Sequence, residues 1–203
     1  YPKHRDRIRF FWCSNCMAVL PLRYIPDPVL RADAAVVTEF GKRLHTFLDN
    51  MYETMIASRG MGLAAPQVGV SERIAVIEAA LEVFERPQIT SESGIDPEQH
   101  LHNGILEIIN PTIINGGKKV SSEEGCLSIP DYHDTILRHY NVTIKAFDRH
   151  GRAFTLSAED VLSFCIQHEI DHLHGVLFTD HLSRLKKTLF NRWCAKHMPE
   201  AVS

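Results

Sequence analysis

Apolar residues recur at helical spacing between residues 37 and 58, where Phe40, Leu44, Phe47, Leu48, Met51 and Met55 fall on one face. That stripe predicts an amphipathic helix facing a core. A second helical run, 158–174, carries Val161, Leu162, Phe164, Cys165 and Ile166 ahead of a group of histidines. Ser157-Ala158-Glu159-Asp160 reads as a capping box at its start, and Gly175 as the left-handed residue just past its end. A third segment, 182–194, sets Leu182, Leu185, Leu189 and Trp193 to one side and predicts a C-terminal helix docked on the body. Strand-like runs lie at 73–78, 105–114, 118–123 and 142–147; the last alternates apolar with polar, and Asp148-Arg149-His150-Gly151 marks a turn into 153–156. Residues 79–104 are polar, contain proline and lack a clear period, so they read as a long loop. The pattern describes an α+β domain over 17–203, with antiparallel or mixed strands around the 158–174 helix and a helix at each end. Residues 1–16 form an N-terminal extension.

Composition narrows this picture. At 203 residues the chain can bury roughly 70% of its unfolded surface as one domain. A net charge of −3 supplies no electrostatic reason to expect nucleic acid or an anionic membrane as partner. No run of about eighteen apolar residues predicts a membrane span. Five cysteines at uneven spacing favour a reducing compartment over a disulfide framework. Within 1–16, Cys13 and Cys16 form a lone CxxC, a weak signal for zinc or redox chemistry. Arg5, Arg7 and Arg9 outweigh Asp6 there, ahead of a Met17 that reads as a translation start, so a transit-peptide remnant is one reading.

The chemistry concentrates in Gln167-His168-Glu169-Ile170-Asp171-His172. On a helix, His168 and His172 share a face, so their ring nitrogens can bind one metal ion, with the Glu169 carboxylate within reach of a bound water. A catalytic centre of this kind needs a third protein ligand and an open position. Phe178 stands where one protease class places a further histidine, and Glu200 is the lone glutamate after His172. Asp180 and His181 stay open downstream. Upstream, Cys126 in Glu123-Glu124-Gly125-Cys126-Leu127-Ser128-Ile129-Pro130 offers a thiolate, which with two imidazoles suits a tetrahedral divalent ion. A buried small hydrophobe is the other reading of Cys126. Between the first helix and the 73–78 strand runs Gly60-Met61-Gly62-Leu63-Ala64-Ala65-Pro66-Gln67-Val68-Gly69. Its small residues suit either close approach of backbone to a ligand or a tight connection.

Three motifs in this order, Gly60 to Gly69, Glu124 to Pro130 and Gln167 to His172, closely resemble those of the peptide deformylase family, over about 17–187. The resemblance implies an α+β metallohydrolase that removes the N-formyl group from the initiator methionine of nascent polypeptides emerging from the ribosome, releasing formate. It implies one iron(II) per chain, replaceable by zinc, nickel or cobalt, held by Cys126, His168 and His172. Glu169 is then the general acid/base, Gln67 and the backbone N–H of Leu127 the oxyanion donors, and the Gly62 backbone an aligner of substrate. Gly60, Met61, His133 and Cys165 are carried over as the substrate surround, and Glu124 and Arg138 as a structural ion pair. A bacterial-type cytoplasmic monomer follows, acting without nucleic acid or membrane, or an organellar one if residues 1–16 are a transit remnant. His133 stands where an arginine often borders the side-chain pocket, and the 79–104 loop is longer than in compact bacterial members. A His-Glu-x-x-His metallopeptidase and a non-catalytic binder of protein N-termini are the competing functions.

Overall fold

The computed structural model describes residues 18–79, 88–91 and 97–198. The 1–16 extension with its CxxC therefore lies outside the described residues. The first helix, α1, spans Lys42–Ala57 and buries Leu44, Leu48, Met51 and Met55, as the stripe requires. It starts later than residue 37 because 37–40 is held extended across a strand: Val37 N–H donates to Asn110 Oδ1 and Val37 C=O accepts from Asn110 Nδ2, both at 2.9 Å.

Strands β1 (Gly62–Ala64), β2 (Ile74–Glu78), β3 (Gln88–Ser91), β4 (Leu101–His102), β5 (Ile105–Gly116), β8 (Asn141–Phe147) and β9 (Ala153–Glu159) form one sheet in the order β1-β2-β5-β8-β9-β3, with β4 also on β5. Strands β6 (Lys119–Cys126) and β7 (Ile129–His139) make a separate two-stranded hairpin. Every ladder among the described residues is antiparallel, and one isolated bridge, Ala35 to Glu72, is parallel. Two described parts of the expected 79–104 loop are strands instead: β3 pairs along β9 and β4 pairs with β5.

Helix α2, Asp160–Leu173, lies on one face of the large sheet and α1 on the other. Leu162, Ile166, Ile170 and Leu173 pack with Ala75, Ile77, Leu106 and Phe154, while the α1 stripe packs with Leu63, Ile74, Val76 and Ile109. Successive β2 residues alternate between the two cores, which is why Ile74 to Ile77 reads as an unbroken apolar run. The expected capping box is absent. Ser157 belongs to β9 and meets Thr143 Oγ1 at 3.0 Å, and the N-cap Glu159 makes no side-chain cap, because the strand runs directly into the helix. At the other end Gly175 is left-handed (φ +68°), and a Cβ there would lie 2.5 Å from Arg31 O.

The last helix, α3, spans Arg184–His197. It docks through Phe190 and Trp193, whose rings sit 4.7 and 5.0 Å from Tyr132, and through buried Cys194. Of the predicted face, Leu182 and Trp193 do pack into the body, whereas Leu185 and Leu189 are 71% and 51% exposed. Phe190, outside the predicted set, takes a share of the aromatic contact instead. Among the described residues no helix is long and apolar enough to cross a membrane.

Candidate active site and metal centre

His168 and His172 project from one face of α2 with their Nε2 atoms 3.2 Å apart. Cys126 reaches the same point from the end of β6, where a register shift beside Gly125 turns the hairpin, and its Sγ lies 3.2 Å from His172 Nε2. The three donor atoms all fall within 4.8 Å of one another. Asp180 and His181 do not join them: Asp180 accepts from Leu177 N–H and pairs with Arg31, and His181 pairs with Asp171. His168 Nδ1 lies 2.9 Å from Glu124 Oε2, which as a carboxylate can only accept. The proton therefore sits on Nδ1, and the Nε2 lone pair points at Cys126 and His172. Burial opposes charge on the Cys126 thiol, yet His172 and His168 draw it well below its usual value, toward the thiolate form that binds metals. Converging lone pairs on a thiolate and two imidazoles fit a divalent cation.

Glu169 lies beside this centre, 3% exposed, with its Oε2 lacking any hydrogen-bond partner among the described residues. Burial pushes its carboxyl up to about 7, the histidines and the carboxylate and thiol neighbours making smaller contributions. Gln67 comes from the short 3-10 helix Ala65–Val68 after β1 and is 1% exposed. Its Oε1 accepts from Ala64 N–H at 2.8 Å, which turns Nε2 toward Cys126 Sγ (3.5 Å) and Ser128 Oγ (3.3 Å).

These groups line one cavity of about 900 Å³, together with Gly60, Met61, Gly62, Leu127, His133 and Cys165. Each predicted site residue is on its wall except His172, which is buried behind it. A Cβ on Gly62 would meet Glu169 Oε1 at 2.5 Å and Cys165 Sγ at 2.9 Å, and one on Gly60 would meet the Leu127 side chain at 2.9 Å. Hydrogen in place of a side chain is what lets the β1 backbone border the acid. His133 folds across Gly125 on the facing strand, where a Cβ would strike its ring.

A charged network backs the histidines. Arg138 is 4% exposed and donates through Nε and Nη2 to both Glu124 oxygens (2.7 and 3.1 Å) and through Nη1 to Asp171 Oδ2 (2.6 Å). The Glu124–Arg138 pair is thus present and buried. Asp171 does not hold a metal-facing histidine; Arg138 and His181 occupy it. His174 turns back to Ile170 C=O. Two positions escaped a role in the sequence reading: Ser128, which holds the Gln67 amide, and Gln167. Both lie inside the quoted motifs, but their roles depend on contacts with other elements.

A helix bearing two histidines and a buried glutamate, met by a cysteine from a hairpin at the floor of a cavity, defines a metal-dependent hydrolase. Comparison with known proteins narrows the class. The family model described as polypeptide deformylase matches residues 19–188. A peptide deformylase of Helicobacter hepaticus is 42% identical over 185 residues, covering 91% of this chain and 95% of that one. The crystal structure of a peptide deformylase from Legionella pneumophila superposes with a TM-score of 0.74 at 39% identity, covering 88% and 95%. One from Synechococcus elongatus, in complex with actinonin, gives 0.72 at 35% identity, covering 87% and 86%. The chain belongs to the polypeptide deformylase family.

Proposed function

We infer that this chain hydrolyses the formyl amide at the N-terminal formyl-methionine of nascent polypeptides, releasing formate and a free amine. The observation that carries the reading is the unpaired, buried Glu169 carboxylate beside the Cys126–His168–His172 donor set, on the floor of a peptide-sized cavity. Those three residues hold the metal, one ion per chain, and iron(II) is the ion proposed. When bound, a divalent ion supplies Lewis acidity and lowers the pKa of water from about 16 toward neutrality. Glu169, with a carboxyl near 7, takes a proton from the attacking water and returns it to the leaving nitrogen. The hydroxyl goes to the formyl carbon, the C–N bond breaks and the proton completes the amine.

Gln67 Nε2 donates to the negative charge that develops on the formyl oxygen, and its orientation is already set by Ala64 N–H. The Leu127 N–H is the second donor. Removing one such donor costs about 3 kcal/mol of transition-state stabilisation. Gly62 and Gly60 leave the β1 backbone open to align the peptide, and Met61, Cys165 and His133 border the methionine side chain. The nascent chain is the partner, met as a peptide N-terminus.

The test is an anaerobic assay on a formyl-Met tripeptide that measures formate and metal in the same sample. Formate released in step with metal content supports the reading. Free amino acids in place of formate would make the protein a peptidase, and tight binding without turnover would make it a binder.

A further inference from the structure

The proposed ligands come from two elements that share no backbone ladder. Cys126 belongs to the β6–β7 hairpin, a sheet of its own, and His168 and His172 belong to α2. Main-chain pairing reaches only the start of α2, where Asp160 N–H donates to Tyr140 C=O at 2.8 Å beside the Asn141–Glu159 pair; along the rest of the helix, side chains meet the hairpin. The structure shows a polar seam along α2, with buried Ser163 and Gln167 and half-buried Asp171 at successive four-residue intervals. This spacing puts all three on one helical face. Asp171 meets Arg138, near the end of β7. Gln167 and Ser163 meet the next residue, His139.

Gln167 takes the larger share. Its Oε1 accepts the His139 N–H at 3.0 Å, and its Nε2 donates to the His139 C=O at 2.8 Å. One side-chain amide thus satisfies both backbone groups of the terminal β7 residue, as a neighbouring strand would. Ser163 Oγ adds a bond to the same carbonyl at 2.9 Å, and Gln167 Nε2 also lies 3.0 Å from Ser163 C=O and 3.1 Å from Ser163 Oγ, which holds the amide in one orientation. Gln167 is 5% exposed and Ser163 fully buried. Gln167 precedes His168 yet points away from the cavity, whose lining does not include it.

We propose that Gln167 is a positioning residue: by binding both backbone groups of His139 it registers the hairpin against α2 and so sets Cys126 against His168 and His172. The inference rests on the ligand assignment made above. Groups that orient a metal's ligands without touching the metal typically change affinity by roughly 10- to 100-fold when removed.

Cobalt(II)-loaded full-length protein supplies the readout, because thiolate coordination gives a charge-transfer absorption that imidazoles do not. Gln167→Leu keeps the side-chain size and removes both bonds; Ser163→Ala removes one. Gln167→Leu is expected to weaken the thiolate band and to speed cobalt transfer to a chelator by roughly 10- to 100-fold, with Ser163→Ala intermediate. Ile144→Val, in the core beneath α2, serves as a control for general loss of stability. Should Gln167→Leu not fold, Ser163→Ala against Ile144→Val carries the comparison. Wild-type band and release rate in both seam variants would overturn the proposal while leaving the ligands in place, as would equal acceleration in Ile144→Val at matched loss of stability. Absence of the thiolate band from the cobalt-loaded parent protein would overturn the ligand assignment itself.

Discussion

Replacing Gly62 by alanine tests whether the placement of Glu169 governs turnover. The added Cβ would sit 2.5 Å from Glu169 Oε1 and 3.0 Å from its Cδ, where ordinary contact begins at 3.4 Å, so the carboxylate must retreat by about 0.9 Å. Cys165 Sγ, 2.9 Å away, closes the other side, and the fully buried Leu63 and Ala64 anchor β1 from behind. The carboxylate is thus the group that yields. A misplacement of about 1 Å costs about 100-fold in rate, which corresponds to about 2.7 kcal/mol of activation free energy. Gly62 does not adopt a left-handed φ, so alanine introduces no backbone strain, and the β1–β2 ladder is untouched. The expected variant binds metal stoichiometrically, unfolds within a few degrees of its parent, and has kcat lowered about 100-fold. Formate release under saturating formyl-Met tripeptide, with metal measured on the same sample, provides the assay. A metal-replete Gly62→Ala protein within threefold of the parent kcat would refute the idea that the 2.5 Å approach fixes the acid.

Glu169→Ala should retain metal on elemental analysis and lose turnover by about 10²- to 10⁴-fold; preserved activity would remove it from proton transfer. Cys126→Ala should lose stoichiometric metal uptake, whereas unchanged uptake would send the search to other donors. Arg138→Met takes the charged partner from the buried Glu124 and the half-buried Asp171, leaving them only histidine contacts, and should cost about 3–5 kcal/mol in urea unfolding; a loss below 1 kcal/mol would show that water or the histidines compensate. Asp148 is pushed up by burial but held below the ordinary carboxylate range by the Arg152 and His150 backbone N–H groups and the Arg152 guanidinium. A depressed folded value means that its stabilisation is present above the unfolded pKa of about 3.9 and disappears as pH falls through the folded value. The stability gap between parent and Asp148→Asn should therefore be full at pH 7 and close below pH 4, and a gap independent of pH would contradict this.

The parts of the fold that could be read in advance are those with a local period. The α1 stripe, the β5 and β8 runs and the Gly175 stop all appear where the pattern put them. Strand β3 was invisible because its pairing partner lies far along the chain, β4 because two residues are too few to show a period, and β7 because its exposed face alternates too irregularly to declare a strand. Leu185 and Leu189 misled because helical spacing marks a face without saying which of its positions the body covers; Leu182 and Trp193 of the same face are covered and these two are not. In the site, residues legible as chemistry (Cys126, His168, Glu169, His172 and Gln67) converge on one cavity or its floor. Ser128 and Gln167 were not legible, since their value lies in the geometry of a neighbouring element rather than in their own side-chain type.

The separateness of the β6–β7 hairpin also bears on how the protein breathes. A unit joined to the body by side chains, one small apolar cluster and isolated backbone bonds such as Ile25 N–H to Ser128 C=O, rather than by a ladder, can open without unzipping the main sheet. A metal held by the proposed ligands would bridge it to α2, and the free energy of coordination would then add to the cost of that opening. Amide exchange should accordingly show the hairpin as the segment whose protection rises most on metal loading, while β2 and β5, buried between two helical layers, exchange at the same slow rate with or without the ion.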